Sequence, residues 1–217
     1  QLGHVLMGEQ DAKISLLQRL VEHLLNTARY SIYYGEGRDA YDVRGRTAHE
    51  ALFNTASGVF RCPNSQQGFS PFSTWTRGLA WAICGFAEQL EFLFSVPNEE
   101  LLQCGFPRSR EKYLRRGKEV VSKRYAPNFA EFANAAIFTA AFYTNISCAD
   151  GIAMWDTGAP NLHRLPANYL NKPSDPYNKF EPVDSSAAAI AAQGFIRLGN
   201  FFTAHGMEAI GPYYLQA

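Results

Sequence analysis

The most informative stretch of the chain is residues 70–84, SPFSTWTRGLAWAIC. Its first residues have loop chemistry, and Ser73 or Thr74 can cap a helix by accepting from free backbone N–H groups. Apolar residues then recur at helical spacing until about Val96, where Pro97 follows. The pattern therefore predicts a helix from about Ser73 to Val96.

Two side chains near the start of this helix point to ligand chemistry. Arg77 and Trp81 are four residues apart, which places them side by side on one helix face. A guanidinium, an indole ring and the positive end of the helix dipole suit a flat anionic ligand, such as a sugar with a carboxylate. The alternative is a structural cation–π pair in which the stem of Arg77 packs over a core tryptophan.

Apolar periodicity predicts helices along most of the remaining chain. Paired helices with long loops on one side fit a bundle, a solenoid or an (α/α) toroid, and the long loops favour the toroid. We therefore predict an all-α fold, with short strands or a loop at 47–50 and 57–62 and a long functional loop at 145–183. The predicted helices are 11–34, 73–96, 109–125, 129–143 and 187–203, with shorter helical pieces at 1–10, 99–104 and 207–217.

Composition argues against several classes of protein. The 217 residues are 47% hydrophobic, enough for a sizeable core in one domain, and no apolar run approaches a bilayer span. Twenty basic and 20 acidic residues cancel, which disfavours a nucleic-acid or membrane-surface protein held by bulk charge. The basic run at 110–124 is then a solvated face. We expect no nucleic-acid partner and no membrane association.

No cofactor or metal is expected from the motifs. The sequence has no phosphate loop and no dinucleotide fingerprint. The cysteines at 62, 84, 104 and 148 lack metal-type spacing and are expected to be buried thiols. Cytoplasmic and periplasmic locations both remain open, because an even cysteine count does not prove disulfides.

Several motifs resemble, in the same order, those of the unsaturated glucuronyl hydrolases, glycoside hydrolase family 88. Unsaturated rhamnogalacturonyl hydrolases, family 105, carry a looser version. Leu79 stands where family 88 commonly has Gln, and residues 35–43 look like an insertion. The motifs are WTRGLAW at 75–81, GRTAHE at 45–50, QGF at 67–69, WD at 155–156 with AP at 159–160, and DSSAAAI at 184–190.

The resemblance implies an (α/α)6 barrel, a toroid of six helical hairpins. Residues 1–217 would form a single incomplete barrel domain, truncated at both ends. A toroid opened in this way would expose apolar helix faces, which predicts that the chain either pairs as a homo-oligomer or aggregates. The family's main catalytic Asp would fall upstream of Gln1, so this chain alone is expected to be inactive.

The implied activity belongs to bacterial polysaccharide degradation. The substrate is an oligosaccharide, made by a lyase, that ends in a C4=C5 unsaturated uronic acid. The double bond is protonated at C4, water adds at C5, and the hemiketal rearranges and releases the aglycone; an acid–base carboxyl group is needed. The resemblance implies His49 as a supporting catalytic residue and assigns substrate binding to Gln67, Trp75, Arg77, Trp81 and Asp156.

Each assignment has an alternative. His49 can be a loop histidine bonded to backbone, Trp75 a core residue and Asp156 an anchor for the Trp155 loop. Asp184 is most simply a helix cap, and a role in the pocket is its alternative. The alternatives for function are another (α/α)6 sugar enzyme, namely a family 105 hydrolase or a sugar epimerase, and a non-catalytic helical module that binds carbohydrate.

Overall fold

A computed structural model describes residues 5–7, 13–104, 127–207 and 210–216, and within them the chain is mostly helical. Two antiparallel strand pairs join β1 (Val5–Met7) to β2 (Lys13–Ser15) and β3 (Glu50–Phe53) to β4 (Phe60–Asn64). The six α-helices of the described ranges are α1 (Leu16–Tyr30), α2 (Thr76–Ser95), α3 (Asn98–Gln103), α4 (Pro127–Ile146), α5 (Ser185–Ala204) and α6 (Gly211–Gln216).

Helix α2 is the centre of the hydrophobic core. It packs against α4 and α5, while α1 lies on α4 and α6 on α5. Its contact with α5 is close: a Cβ placed on Gly194 would lie 2.8 Å from Cγ2 of Ile83 and 2.9 Å from the backbone nitrogen of Cys84. The buried face of α2 follows the helical period through Leu79, Ile83, Phe86, Leu90 and Leu93.

The helical class is confirmed, but the N-terminal boundaries differ from the prediction. Residues 5–7, expected in a helix, form a strand that pairs with residues 13–15. Helix α1 therefore begins at Leu16, where the side chain of Ser15 accepts from the backbone N–H of Gln18 at 3.2 Å. The expected cap, Asp11, and the expected basic helix 109–125 lie outside the described residues.

Helix α2 begins without the serine or threonine cap that the sequence suggested. Thr74 is buried, and its hydroxyl exchanges hydrogen bonds with the backbone of Thr47 at 2.9 and 3.2 Å. The first helical N–H, on Thr76, donates to the carbonyl of Trp155 at 3.1 Å. A distant loop thus supplies the acceptor that a local cap would have supplied.

The structure defines the region around 47–62 and the long loop predicted at 145–183. The segment after His49 is a β-hairpin, and residues 147–183 form a long connection with short 3₁₀ helices at Leu162–Arg164 and Tyr169–Asn171. Asp184 ends this connection and caps α5, as predicted, by accepting from the N–H of Ala187 at 2.9 Å. Within the described residues, no helix combines the length and apolar character needed to cross a membrane.

Candidate functional site

Aromatic and charged side chains gather around the first turn of α2. The ring of Trp75 is half-buried, with its centroid 4.9 Å from that of His49 and 5.9 Å from the guanidinium carbon of Arg77. Trp81 lies one turn further along α2 and is 56% exposed. The structure therefore brings both His49 and Arg77 close to Trp75. The sequence motifs gave only the order of these residues along the chain.

The loop after β4 wraps around His49, which lies directly before β3. The backbone N–H groups of Gln66 and Gln67 both donate to Nδ1 of His49, at 3.1 and 3.2 Å. The side chain of Gln67 is exposed to solvent. His49 and Gln67 are thus neighbours at the base of the hairpin, and His49 is bonded to backbone as its alternative interpretation proposed.

Arg77 is oriented by a carboxylate from the start of α5. Its Nε donates to Oδ2 of Asp184 at 3.1 Å, and a terminal nitrogen lies 3.1 Å from the same oxygen. The Asp184 side chain is only 3% exposed, whereas that of Arg77 is 44% exposed. The guanidinium is therefore held on one side and open to solvent on the other.

Asp156 ties two loops of the site together, and its role in substrate binding remains a prediction. It is fully buried, and its two oxygens accept from the N–H groups of Phe69 at 2.9 Å and Gly158 at 2.8 Å. Its backbone also bridges to Trp75. Asp156 is thus the polar anchor that joins the loop after β4 to the long connection. Gly68 permits this contact, because a Cβ there would lie 3.0 Å from Oδ2 of Asp156.

A buried ion pair between Asp42 and Arg46 supports the residues around the start of α2. Asp42 lies in the segment 35–43, which looks like an insertion. Arg46 donates to both oxygens of Asp42 at 2.7 Å and to the carbonyl of Ser73 at 3.3 Å. Burial opposes the ionisation of Asp42, but hydrogen bonds from Arg46 and from the N–H of Val43 outweigh it, so the pKa of Asp42 is lowered. Residues 42–46 thereby fix the turn that leads into α2.

A fourth carboxylate, that of Glu181, holds the Trp155 side of the site. Glu181 accepts from the indole N–H of Trp155 at 2.8 Å and from the N–H of Asn161 at 2.6 Å. Burial opposes its charge, but these hydrogen bonds prevail and lower the pKa of Glu181. Among the described residues, no three His, Cys, Asp or Glu side chains are grouped as a metal site would require.

Sequence reasoning missed two contributors to the site. It favoured a capping role for Asp184 over a role in the site, because a contact across 107 residues leaves no local spacing signal. It also gave no role to Arg46, although Asp42 and Arg46 have the i, i+4 spacing of an ion pair. Asp184 orients Arg77, and Arg46 holds the backbone of Ser73 just before α2.

The assembled cluster has chemistry that suits a flat, polar anion. It offers one half-open guanidinium, indole surfaces, an imidazole and an exposed amide. The neighbouring carboxylates of Asp156 and Asp184 already accept hydrogen bonds from backbone N–H groups or Arg77. Their geometry suits holding the site together rather than donating a proton.

Comparison with known proteins gives a likeness of fold. No family model and no curated protein matches the chain. It is similar to the crystal structure of unsaturated glucuronyl hydrolase, responsible for the degradation of glycosaminoglycan, from Bacillus sp. GL1, with a TM-score of 0.56 and 19% identity over 93% of this chain and 42% of that chain. A second structure, named as a UGL variant with dGlcA-Glc-Rha-Glc, has a TM-score of 0.49 and 19% identity over 90% of this chain and 44% of that chain.

The chain thus spans less than half the length of either solved structure. At this identity, the likeness to the Bacillus structure concerns the fold. It agrees with the mostly helical architecture described above and confirms the predicted fold class. The chain has the fold of part of the helical barrel of an unsaturated glucuronyl hydrolase.

Proposed function

We propose that the chain is part of a glycoside hydrolase that acts on C4=C5 unsaturated uronic acid at the non-reducing end of oligosaccharides made by lyases. One observation carries the proposal: the half-open guanidinium of Arg77 lies beside Trp75, one helical turn from exposed Trp81. The motif resemblance and the likeness of fold support the same function.

Each side chain of the cluster has a role in this proposal. The planar fork of Arg77 suits the uronate carboxylate, which it meets with charge-assisted hydrogen bonds. Trp81 offers an exposed indole face against which the flat unsaturated ring can stack. Gln67 and His49 bind sugar oxygens from the base of the hairpin, and Trp75 packs between His49 and Arg77.

The reaction also needs an acid, and the two buried aspartates are poor candidates. Hydration of the double bond begins with proton transfer to C4 from a carboxyl group within reach. Protonating Asp156 would disrupt its bonds to Phe69 and Gly158, and protonating Asp184 would weaken the pair with Arg77. We therefore assign both aspartates a holding role, and the proposal requires the proton to come from a different carboxyl group.

The direct test follows the ultraviolet absorbance of the conjugated double bond when the intact protein is mixed with an unsaturated uronyl disaccharide. We expect the absorbance to fall as the aglycone is released. Arg77→Ala should lower kcat/KM by about 10- to 100-fold, the effect of losing a charge-assisted hydrogen bond.

The matched control for this test is Arg197→Ala. Arg197 is also a partly exposed arginine between α2 and α5, but it pairs with Glu88 and Glu91, away from the cluster. We expect its kcat/KM to stay close to that of the wild type. Binding of the disaccharide without any loss of absorbance would overturn the hydrolase and favour a non-catalytic carbohydrate-binding module.

A further inference from the structure

We infer that the neutral ring of His49 carries its proton on Nε2, so that Nδ1 positions the Gln67 loop and Nε2–H donates to an oxygen of the bound sugar. This makes His49 a hydrogen-bond donor and a positioning residue instead of a general base. The identity of the sugar rests on the proposed function, whereas the state of the ring rests on its own contacts.

The contacts at Nδ1 fix the tautomer. Two consecutive backbone N–H groups, those of Gln66 and Gln67, donate to this nitrogen at 3.1 and 3.2 Å. A nitrogen that accepts hydrogen bonds carries no proton, and a neutral imidazole has a single N–H, so the proton lies on Nε2. A ring turned by half a rotation would set a C–H group against both donors, so the same two bonds also fix the ring's orientation.

The opposite nitrogen is left for a ligand. Among the described residues, Nε2 of His49 has no hydrogen-bond partner, and the ring is only half-buried. Its nearest aromatic neighbour is Trp75, with the two ring planes at 66° and the centroids 4.9 Å apart. A sugar hydroxyl, ring or carboxylate oxygen is the acceptor that this donor would meet next to Arg77 and Trp81.

This arrangement restricts what His49 can do in a reaction. A general base needs a free lone pair on a nitrogen that faces the reacting group. In the neutral ring the Nδ1 pair is shared by two backbone donors, and Nε2 already has its proton. His49 therefore orients substrate and loop, while proton transfer belongs to a different group.

The state of the ring can be measured without any turnover. In intact protein labelled with ¹⁵N-histidine, the His49 ring signals are identified by their loss in substituted variants. In the neutral ring we expect a protonated-type nitrogen at Nε2 and an unprotonated-type nitrogen at Nδ1. A proton on Nδ1 in the neutral ring would overturn the inference.

Two substitutions separate the two duties of the ring. His49→Asn places an oxygen near the position of Nδ1 but has no donor at Nε2, and His49→Gln reaches the Nε2 position but leaves Nδ1 empty. We expect His49→Asn to keep the wild-type amide-exchange rates of Gln66 and Gln67 and to bind an unsaturated uronyl disaccharide about tenfold more weakly. His49→Gln should speed that exchange about fivefold, the effect of losing one modest hydrogen bond.

Equal exchange rates in the two variants would show that Nδ1 does not hold the loop. The amide-exchange and ring measurements are independent of catalysis, so they remain decisive even if the absorbance test of the hydrolase fails. Should His49→Gln fail to fold, the ring measurement on the wild-type protein still decides the tautomer.

Discussion

At the scale of single residues, Asp184 combines two tasks in one carboxylate. It caps α5 through the N–H of Ala187 and orients Arg77 in the first turn of α2. Since Arg77 is 44% exposed, its ion pair adds little to stability, and the cap accounts for most of what Asp184 contributes. Substitution of Asp184 should therefore separate folding from ligand binding.

We predict that Asp184→Ala lowers the free energy of unfolding by about 1–2 kcal/mol through loss of the cap. Asp184→Asn retains a capping side chain and should cost well under about 1 kcal/mol. Both variants should raise KM for the unsaturated disaccharide, because Arg77 loses its charged partner. Urea titration and steady-state kinetics test this, and equal destabilisation by both substitutions would contradict it.

The sequence could predict which residues lie together near the start of α2 better than how each is held. Motif spacing singled out His49, Trp75 and Arg77, and the structure brings these three into contact. It could not predict that Asp156 is buried, because Trp-Asp-Thr-Gly reads equally well as an exposed turn. Burial depends on which distant N–H groups the carboxylate meets, here those of Phe69 and Gly158.

At the scale of elements, the packing of α2 on α5 depends on one glycine. A Cβ on Gly194 would meet backbone atoms of Cys84 at 2.9 and 3.1 Å, which a flexible side chain cannot relieve. We predict that Gly194→Ala forces the helices apart and lowers the free energy of unfolding by about 1–3 kcal/mol.

Gly85→Ala is the matched control, because Gly85 lies in α2 and a Cβ there meets nothing within 4 Å. We expect this change to raise the free energy of unfolding by about 0.5–1 kcal/mol, since alanine is the better helix former. Thermal and urea unfolding of both variants give the comparison. Similar effects of the two substitutions would mean that close approach at Gly194 is unimportant.

Secondary structure was predicted correctly where a helical period dominates the sequence. The prediction failed where contacts with distant residues decide the secondary structure. The stripe Leu17, Val21, Leu24 and Ala28 in α1 was legible as a helix face and is buried as such. Leu2, Val5 and Leu6 also have i, i+3, i+4 spacing, yet pairing with residues 13–15 makes residues 5–7 a strand. Local periodicity does not specify which segment a strand pairs with.

At the scale of the whole molecule, three carboxylates far apart in sequence share one dependence on pH. Burial opposes the charge of Asp42, Asp150 and Glu181, but hydrogen bonds outweigh it and lower the pKa of each. The folded state then binds fewer protons than the unfolded chain. Their stabilisation is complete above the unfolded pKa of about 4 and is lost as the pH falls through the folded values.

We therefore predict that the free energy of unfolding falls steeply below about pH 4 and that these groups contribute no pH dependence near neutrality. Glu181→Gln should make the acid limb shallower, since one of the three groups no longer titrates. Urea unfolding across pH 2–7 measures the slope, and an unchanged acid limb in the variant would contradict this origin.

Fold class at this scale followed from the sequence because the apolar helices and the order of the motifs agree. The likeness to part of a helical barrel confirms it. Single-domain organisation and self-association remain predictions, since both depend on surfaces that periodicity does not specify. The hairpin that presents His49 and Gln67 was left undecided between strands and loop for the same reason.

The site also has an order of assembly in time. The bonds from His49 to the Gln67 loop span 17 and 18 residues, whereas Arg77 and Asp184 are 107 residues apart. At a synthesis rate of about 5–20 residues per second, Arg77 is translated roughly 5–20 s before Asp184. On the nascent chain the hydrogen bonds between His49 and the Gln67 loop can form early. The ion pair between Arg77 and Asp184 can form only after the start of α5 has been synthesised.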